Sequence, residues 1–181
     1  FSAHKVYGPK GIGALYIRQK PRLHLTPQIH GGNQEQGLRA GTLPTHQIVG
    51  MAEAMHIAHQ EMADENKRLL ALHEYLWKEI SSLENIHLNG SPTKRIAGNL
   101  NITFSNIDGE LLSAALKDLA LSAAAACNKT QTSYVLKAIG VSDKAAFSTL
   151  RISFGRFTTE KDIDFIIKHI KEVVAKLRQS D

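Results

Sequence analysis

Cysteine is nearly absent from this sequence, with Cys127 the one thiol in 181 residues. A single thiol excludes an internal disulfide framework and favours a reducing, cytoplasmic setting. No apolar run approaches the roughly 18 residues that a membrane-spanning helix needs, and the first residues lack the pattern of a signal peptide. With 43% hydrophobic and 22% charged residues, the composition is that of a soluble globular protein.

Concentrated positive charge is also missing, although the formal net charge is +5. Basic residues alternate with acids, as in Glu160-Lys161-Asp162, and no basic stripe carries interleaved aromatic side chains. Nucleic acid and membrane are therefore not expected as partners. His56 and His59 lie one helical turn apart, but no third ligand accompanies them, so no bound metal is expected either.

Helical and strand patterns are mixed along the chain. Apolar residues at three- and four-residue spacing predict a helical stretch over 45–83, with a bend or break near Ala63-Asp64. Short apolar runs and period-two alternation predict strands at 13–18, 86–88, 99–104 and 149–154. Such a mixture predicts an α/β or α+β layered domain.

Glycine and proline concentrate in residues 21–47, which are too irregular for a long helix. An irregular segment of this length in a globular chain is usually functional or disordered. Small residues beside Arg39 and Thr42 allow a backbone and a hydroxyl to approach a phosphate or carboxylate closely.

The opening residues place a hydroxyl, an imidazole and an amine close together, on Ser2, His4 and Lys5, before a glycine-punctuated turn. A lysine amine can form a Schiff base with an aldehyde, and pyridoxal phosphate (PLP) is the aldehyde that enzymes use most for this purpose. From the residues alone, a solvated surface lysine is the alternative interpretation of Lys5.

Two other side chains are candidates for chemistry. Cys127 follows an alanine run and precedes a polar segment, so it is either a buried structural thiol or an exposed nucleophile assisted by Lys129. Arg151 stands in the middle of a predicted strand, where an arginine is unusual without an anionic partner. That partner is either a protein acid in a buried salt bridge or the carboxylate of a ligand.

Five segments occur in a characteristic order: Ser2-Ala3-His4-Lys5-Val6-Tyr7-Gly8-Pro9-Lys10-Gly11, His30-Gly31-Gly32, Arg39-Ala40-Gly41-Thr42-Leu43-Pro44, Ala126-Cys127 and Leu150-Arg151-Ile152-Ser153-Phe154-Gly155-Arg156-Phe157-Thr158-Thr159-Glu160. Together they resemble the C-terminal half of the group I (NifS/IscS-like) cysteine desulfurases, PLP-dependent enzymes of fold type I. The resemblance implies an α/β protein of class V aminotransferase type. Residues 1–50 would end the large PLP-binding domain, and residues 51–181 would form a small α+β domain with a short, mainly antiparallel sheet.

The resemblance also implies roles for the cofactor-binding residues. Lys5 corresponds to the Schiff-base lysine, which later carries a proton. Ser2 and His4 correspond to ligands of the PLP phosphate. Thr42 corresponds to a residue that reaches the phosphate in the partner subunit of a homodimer.

For the substrate, the resemblance implies that Arg151 binds the carboxylate of L-cysteine and that Cys127 accepts its sulfur. The products are L-alanine and a persulfide, which passes to a scaffold or sulfur-carrier protein for iron–sulfur cluster assembly or thiolation. Since the family's remaining cofactor ligands precede the lysine, and the chain opens abruptly on this motif, we expect a part of a longer protein that is inactive alone.

The segment around Cys127 departs from the family pattern. Residues 122–126 read Ser-Ala-Ala-Ala-Ala, where the family commonly has Ser-Ser-Gly-Ser-Ala, and the loop that follows is shorter than usual. The loss of a glycine and two hydroxyls makes the base of the loop stiffer and less polar. Selenocysteine lyase or a related PLP enzyme therefore stays an alternative, as does a non-catalytic paralogue that serves as an interaction module.

Overall fold

The computed structural model describes residues 1–21, 23–123 and 133–179. The chain divides into two compact units, Phe1–Ala63 and Asp64–Asp181. The division lies within helix α1 (Thr45–Ile80), whereas the predicted domain boundary at residue 50 concerns the complete protein and stays a prediction. Among the helices of these ranges, none is both long and apolar enough to span a membrane.

The first unit begins with a 3₁₀ helix, Ala3–Val6, flanked by two short pairing segments. The Ala3 N–H donates to the Ile12 carbonyl at 3.1 Å, and the Ala14 N–H donates to the Phe1 carbonyl at 2.9 Å. The strand predicted over 13–18 is reduced to one bridge between Ser2 and Gly13. Within the described part of this unit, residues 15–18 pair with no strand, and apolar character alone does not make one.

Helix α1 continues through Ala63-Asp64, so the break predicted there is wrong. After Gly50 the helix contains neither glycine nor proline, and it is rich in alanine, leucine, methionine and glutamate. These residues have high helix propensity, which keeps the helix intact where the apolar spacing weakens.

The second unit contains a four-stranded antiparallel sheet in the order β1-β2-β4-β3. The strands are β1 (Ile86–Leu88), β2 (Asn99–Phe104), β3 (Ser122–Ala123) and β4 (Thr149–Ser153). The other helices are α2 (Gly109–Ala115), α3 (Tyr134–Ala138), α4 (Asp143–Phe147) and α5 (Glu160–Gln179). The expected small α+β domain with a short antiparallel sheet is confirmed.

The two faces of this sheet differ because side chains alternate along each strand. Leu100 and Ile102 of β2 and Ile152 of β4 are buried in a core that also contains apolar side chains of α1, α2 and α5. Asn101 and Arg151 point to the opposite, polar face, since they occupy the intervening positions. The polar face is where the second unit can present functional groups.

Candidate functional site

Lys5 lies on a short turn that is anchored at one residue. Ala3, at the start of the 3₁₀ helix, is fully buried, and its carbonyl accepts the N–H groups of Tyr7 and Gly8. Tyr7 ends the turn in a left-handed conformation, with φ 66°. The side chains of His4 and Lys5 are exposed. The local fold therefore fixes the backbone and presents an imidazole and an amine to solvent.

The first residues of α1 contact the glycine-containing turn that follows Lys5. The Gln47 amide donates to the Lys10 carbonyl at 2.9 Å. A Cβ atom at Gly50 would lie 2.9 Å from the Pro9 ring, so only glycine lets the turn pack this closely on the helix. Neither contact is evident from local sequence pattern, because each joins residues about 40 positions apart.

Thr42 lies in a loop that side chains of the same unit shape around Gly41. The Gly41 N–H donates to the Gln34 side-chain oxygen at 3.0 Å, and the Arg39 guanidinium donates to the Gly41 carbonyl at 3.2 Å. Gly41 has φ +107°, which favours glycine. Arg39 thus helps to shape the loop, and the Thr42 side chain is left exposed.

The donors of the first unit fit an aldehyde cofactor that carries a phosphate. Within the described residues, the side chains of Ser2, His4 and Lys5 make no hydrogen bond or ion pair, and Ser2 does not cap the turn that follows it. An exposed primary amine can react with an aldehyde. Hydroxyl and imidazole N–H groups are suitable donors to phosphate oxygens.

Arg151, in the second unit, projects from the polar face of the sheet and is exposed. Its guanidinium Nη2 donates to the Ser122 hydroxyl at 3.1 Å. No carboxylate in the described ranges forms an ion pair with it, so the buried salt bridge considered above is not found there. A guanidinium has five N–H donors, and within the described part of the chain the Ser122 hydroxyl is the one group that accepts from the Arg151 guanidinium.

A second arginine, Arg68 of α1, binds the loop that follows β4, and no local sequence pattern indicated this role. Its guanidinium donates to the carbonyls of Gly155, Arg156 and Thr158 at 3.0, 3.1 and 2.7 Å. It also forms a two-pronged pair with the Glu65 carboxylate, with both N–O distances 2.9 Å. The hydrogen bond from Arg68 and the positive charges nearby lower the pKa of Glu65.

The predicted site residues fall in both units. Ser2, His4, Lys5 and Thr42 belong to the first unit and Arg151 to the second, while Cys127 lies outside the described residues. Across the described ranges, no group of three or more histidine, cysteine, aspartate or glutamate side chains is arranged to hold a metal ion.

The family match and the similar curated proteins agree with one another. Residues 1–166 match the family described as aminotransferase class-V. The chain is 53% identical over 180 residues to the cysteine desulfurase IscS of Aeromonas hydrophila, which covers 98% of this chain and 45% of that protein. It is 54% identical over 181 residues to the cysteine desulfurase IscS of Pseudomonas aeruginosa, covering 99% of this chain and 45% of the relative. The chain thus spans less than half the length of these curated relatives.

Solved structures show the same likeness. A NifS-like protein superimposes with a TM-score of 0.86 at 36% identity, covering 98% of this chain and 46% of that one. SspA in complex with cysteine superimposes with a TM-score of 0.65 at 36% identity, covering 87% of this chain and 44% of that one.

Proposed function

The chain belongs to the class-V aminotransferase family, and from this membership we propose that it forms the C-terminal half of a PLP-dependent cysteine desulfurase. The observation that carries the proposal is the exposed amine of Lys5, on a turn anchored by the buried Ala3, with Ser2 and His4 nearby in the chain and unbonded through their side chains within the described residues. The identity of more than half to two cysteine desulfurases supports the same reaction class. In the complete protein, residues 1–50 would close the large domain and residues 51–181 would form the small one.

We assign the cofactor contacts within the first unit. PLP, when bound, supplies an electron sink for the bonds at the substrate Cα. Lys5 would hold the cofactor's aldehyde carbon through its amine and, once released, carry a proton to and from the substrate. Ser2 and His4 would donate to the phosphate of their own subunit, and Thr42 to that of the partner subunit in a homodimer.

We assign L-cysteine as the substrate, and the similar structure of SspA in complex with cysteine supports this choice. Arg151 would bind the substrate carboxylate, because its guanidinium is exposed and has no acidic partner among the described residues. The Cys127 thiolate would attack the substrate sulfur, so that an S–S bond forms as the C–S bond breaks. The carbon skeleton keeps that electron pair, gains a proton and leaves as L-alanine.

The sulfur held on Cys127 would then pass to a thiol of a scaffold or sulfur-carrier protein. A single cysteine in the chain favours a reducing compartment for this transfer, so we place the protein in the cytoplasm. Iron–sulfur cluster assembly or thiolation is the process that such a persulfide serves.

The test measures alanine release and protein-bound persulfide in the full-length protein supplied with PLP and L-cysteine. Cys127→Ala should abolish the persulfide, and Lys5→Ala should abolish both products. Lys20→Ala, which removes another exposed lysine of the first unit, should keep both. Release of alanine from selenocysteine but not from cysteine would establish the lyase instead, and PLP binding without either reaction would establish a non-catalytic paralogue.

A further inference from the structure

Three polar side chains form a row across the polar face of the sheet. Asn101 of β2 is the direct partner of Arg151 in β4, and Arg151 is in turn the partner of Ser122 in β3. Directly paired residues of antiparallel strands have their side chains on one face, with Cβ atoms about 4.5–5.5 Å apart. Strand register therefore places a neighbour on each side of the Arg151 side chain.

Only one of these neighbours bonds to the guanidinium in the described structure. The Asn101 side-chain oxygen accepts from the Asn89 amide at 2.8 Å, and the same amide donates to the Thr103 hydroxyl at 2.9 Å. Asn101 is thus held on the side of β1. The Ser122 hydroxyl, in contrast, accepts directly from Arg151 Nη2 at 3.1 Å.

A hydroxyl is a suitable partner for an arginine that must bind an anion. An exposed arginine loses much rotamer freedom when it binds a ligand, and a bond made beforehand reduces that loss. A carboxylate partner would fix the side chain but would also neutralise its charge and compete with the ligand. Serine fixes one N–H group and leaves the positive charge intact.

From this geometry we propose that Ser122 is a positioning residue, which holds the Arg151 guanidinium in the orientation that receives the substrate carboxylate. The inference rests on the proposed function, since it takes Arg151 as the carboxylate ligand. It assigns a role to the last hydroxyl before the alanine run that precedes Cys127.

The experiment uses full-length holoenzyme and two readouts. The first is the Kd of L-alanine, which carries the same carboxylate, followed by the absorbance change of the bound cofactor. The second readout is the pair of kinetic constants for L-cysteine, KM and kcat, each determined separately. Ser122→Ala should raise both the Kd and KM about three- to tenfold, as expected for one lost hydrogen bond. The value of kcat should change less than about twofold.

Two controls distinguish positioning from a structural effect. Ser122→Thr keeps the hydroxyl and should restore the alanine Kd. Ser153→Ala removes another exposed serine of the same sheet face and should leave the Kd unchanged.

A double variant tests whether Ser122 acts through Arg151. In an Arg151→Ala background, Ser122→Ala should have no further effect on the Kd, because its influence acts through the guanidinium.

The results that would contradict the positioning role of Ser122 differ from those that would contradict the proposed role of Arg151. If Arg151→Ala weakens alanine binding and Ser122→Ala does not, the positioning role is wrong and the proposed function stands. An equal loss from Ser122→Ala with and without Arg151 would also overturn the positioning role. Wild-type alanine binding by Arg151→Ala would instead overturn the proposed role of Arg151, and the inference with it.

Discussion

At Gly109 a neighbouring carbonyl leaves no room for a side chain. A Cβ atom there would lie 1.8 Å from the Phe147 carbonyl oxygen. The residue opens α2 directly after Asp108, whose carboxylate accepts the N–H groups of Glu110 and Leu111 at 2.9 Å each. The capped end of α2 therefore packs directly on the backbone at the end of α4.

Gly109→Ala should destabilise the protein by about 3 kcal/mol or more, because a backbone carbonyl cannot move aside as a flexible side chain can. Denaturant unfolding followed by circular dichroism measures the loss. Gly140→Ala is the matched control: an added Cβ there meets nothing within 4 Å, although φ is +85°, so it should cost only about 1–2 kcal/mol. Equal stability of the two variants would show that the close approach at Gly109 does not exist.

For single residues, the sequence indicated which side chains were unusual better than it indicated which side chains touch. The unusual position of Arg151 in the middle of a strand was evident from local pattern. The Ser122 contact was not, because it depends on which strand lies beside β4 and in which register. Strand register is decided by packing between distant segments, and one sequence does not reveal it.

Among the elements, the loop between β4 and α5 depends on a side chain of α1. Three of its carbonyls accept from Arg68, whose guanidinium is oriented by the Glu65 carboxylate one turn earlier. Charge-assisted bonds of this forked geometry suit arginine and not lysine. The pair thus links α1 to the segment that follows Arg151.

Glu65→Gln should destabilise the protein by about 1 kcal/mol near neutral pH, a modest value because Arg68 is partly exposed. The Glu65 pKa lies below its ordinary value of 4.5 in the folded protein, so its ionised form is the stabilising one. The contribution is complete above pH 4.5 and is lost as the pH falls through the lowered pKa.

Unfolding free energies of wild type and Glu65→Gln should therefore converge as the pH falls from about 7 to about 3. Glu74→Gln, which changes an exposed carboxylate of the same helix with no described ion pair, should show little difference at either pH. A gap between wild type and Glu65→Gln that persists at the acid end would contradict the ion-pair account.

The elements themselves were predicted unevenly. Strands β1 and β2 have the predicted bounds, because period-two alternation with one buried face is a strong local signal. Residues 13–18 have the composition of a strand, but in the described structure their pairing with the opening residues ends at Ala14. Helix α4 was not predicted, since its five residues are too few to show a periodic pattern.

For the whole molecule, the pattern of helices and strands alone predicted an α/β or α+β layered domain and did not choose between the two. From the residues alone, Lys5 was either a cofactor lysine or a surface lysine. The order of five short segments favours the cofactor lysine, and that role stays a prediction. The comparisons show the family to which the chain belongs, and the chain spans 45% of the length of its curated relatives. The residues assigned to the cofactor belong to the first unit and Arg151, assigned to the substrate, belongs to the second, so no local sequence pattern connects the two assignments.

The central claim is that Lys5 bonds to the aldehyde of PLP, and borohydride trapping tests it most directly. The full-length protein is loaded with PLP, reduced, digested and mapped by mass spectrometry. The account predicts one modified lysine, Lys5, with the label lost in Lys5→Ala and kept in Lys20→Ala. Label on a different lysine, or no label in a folded protein that holds PLP, would contradict it.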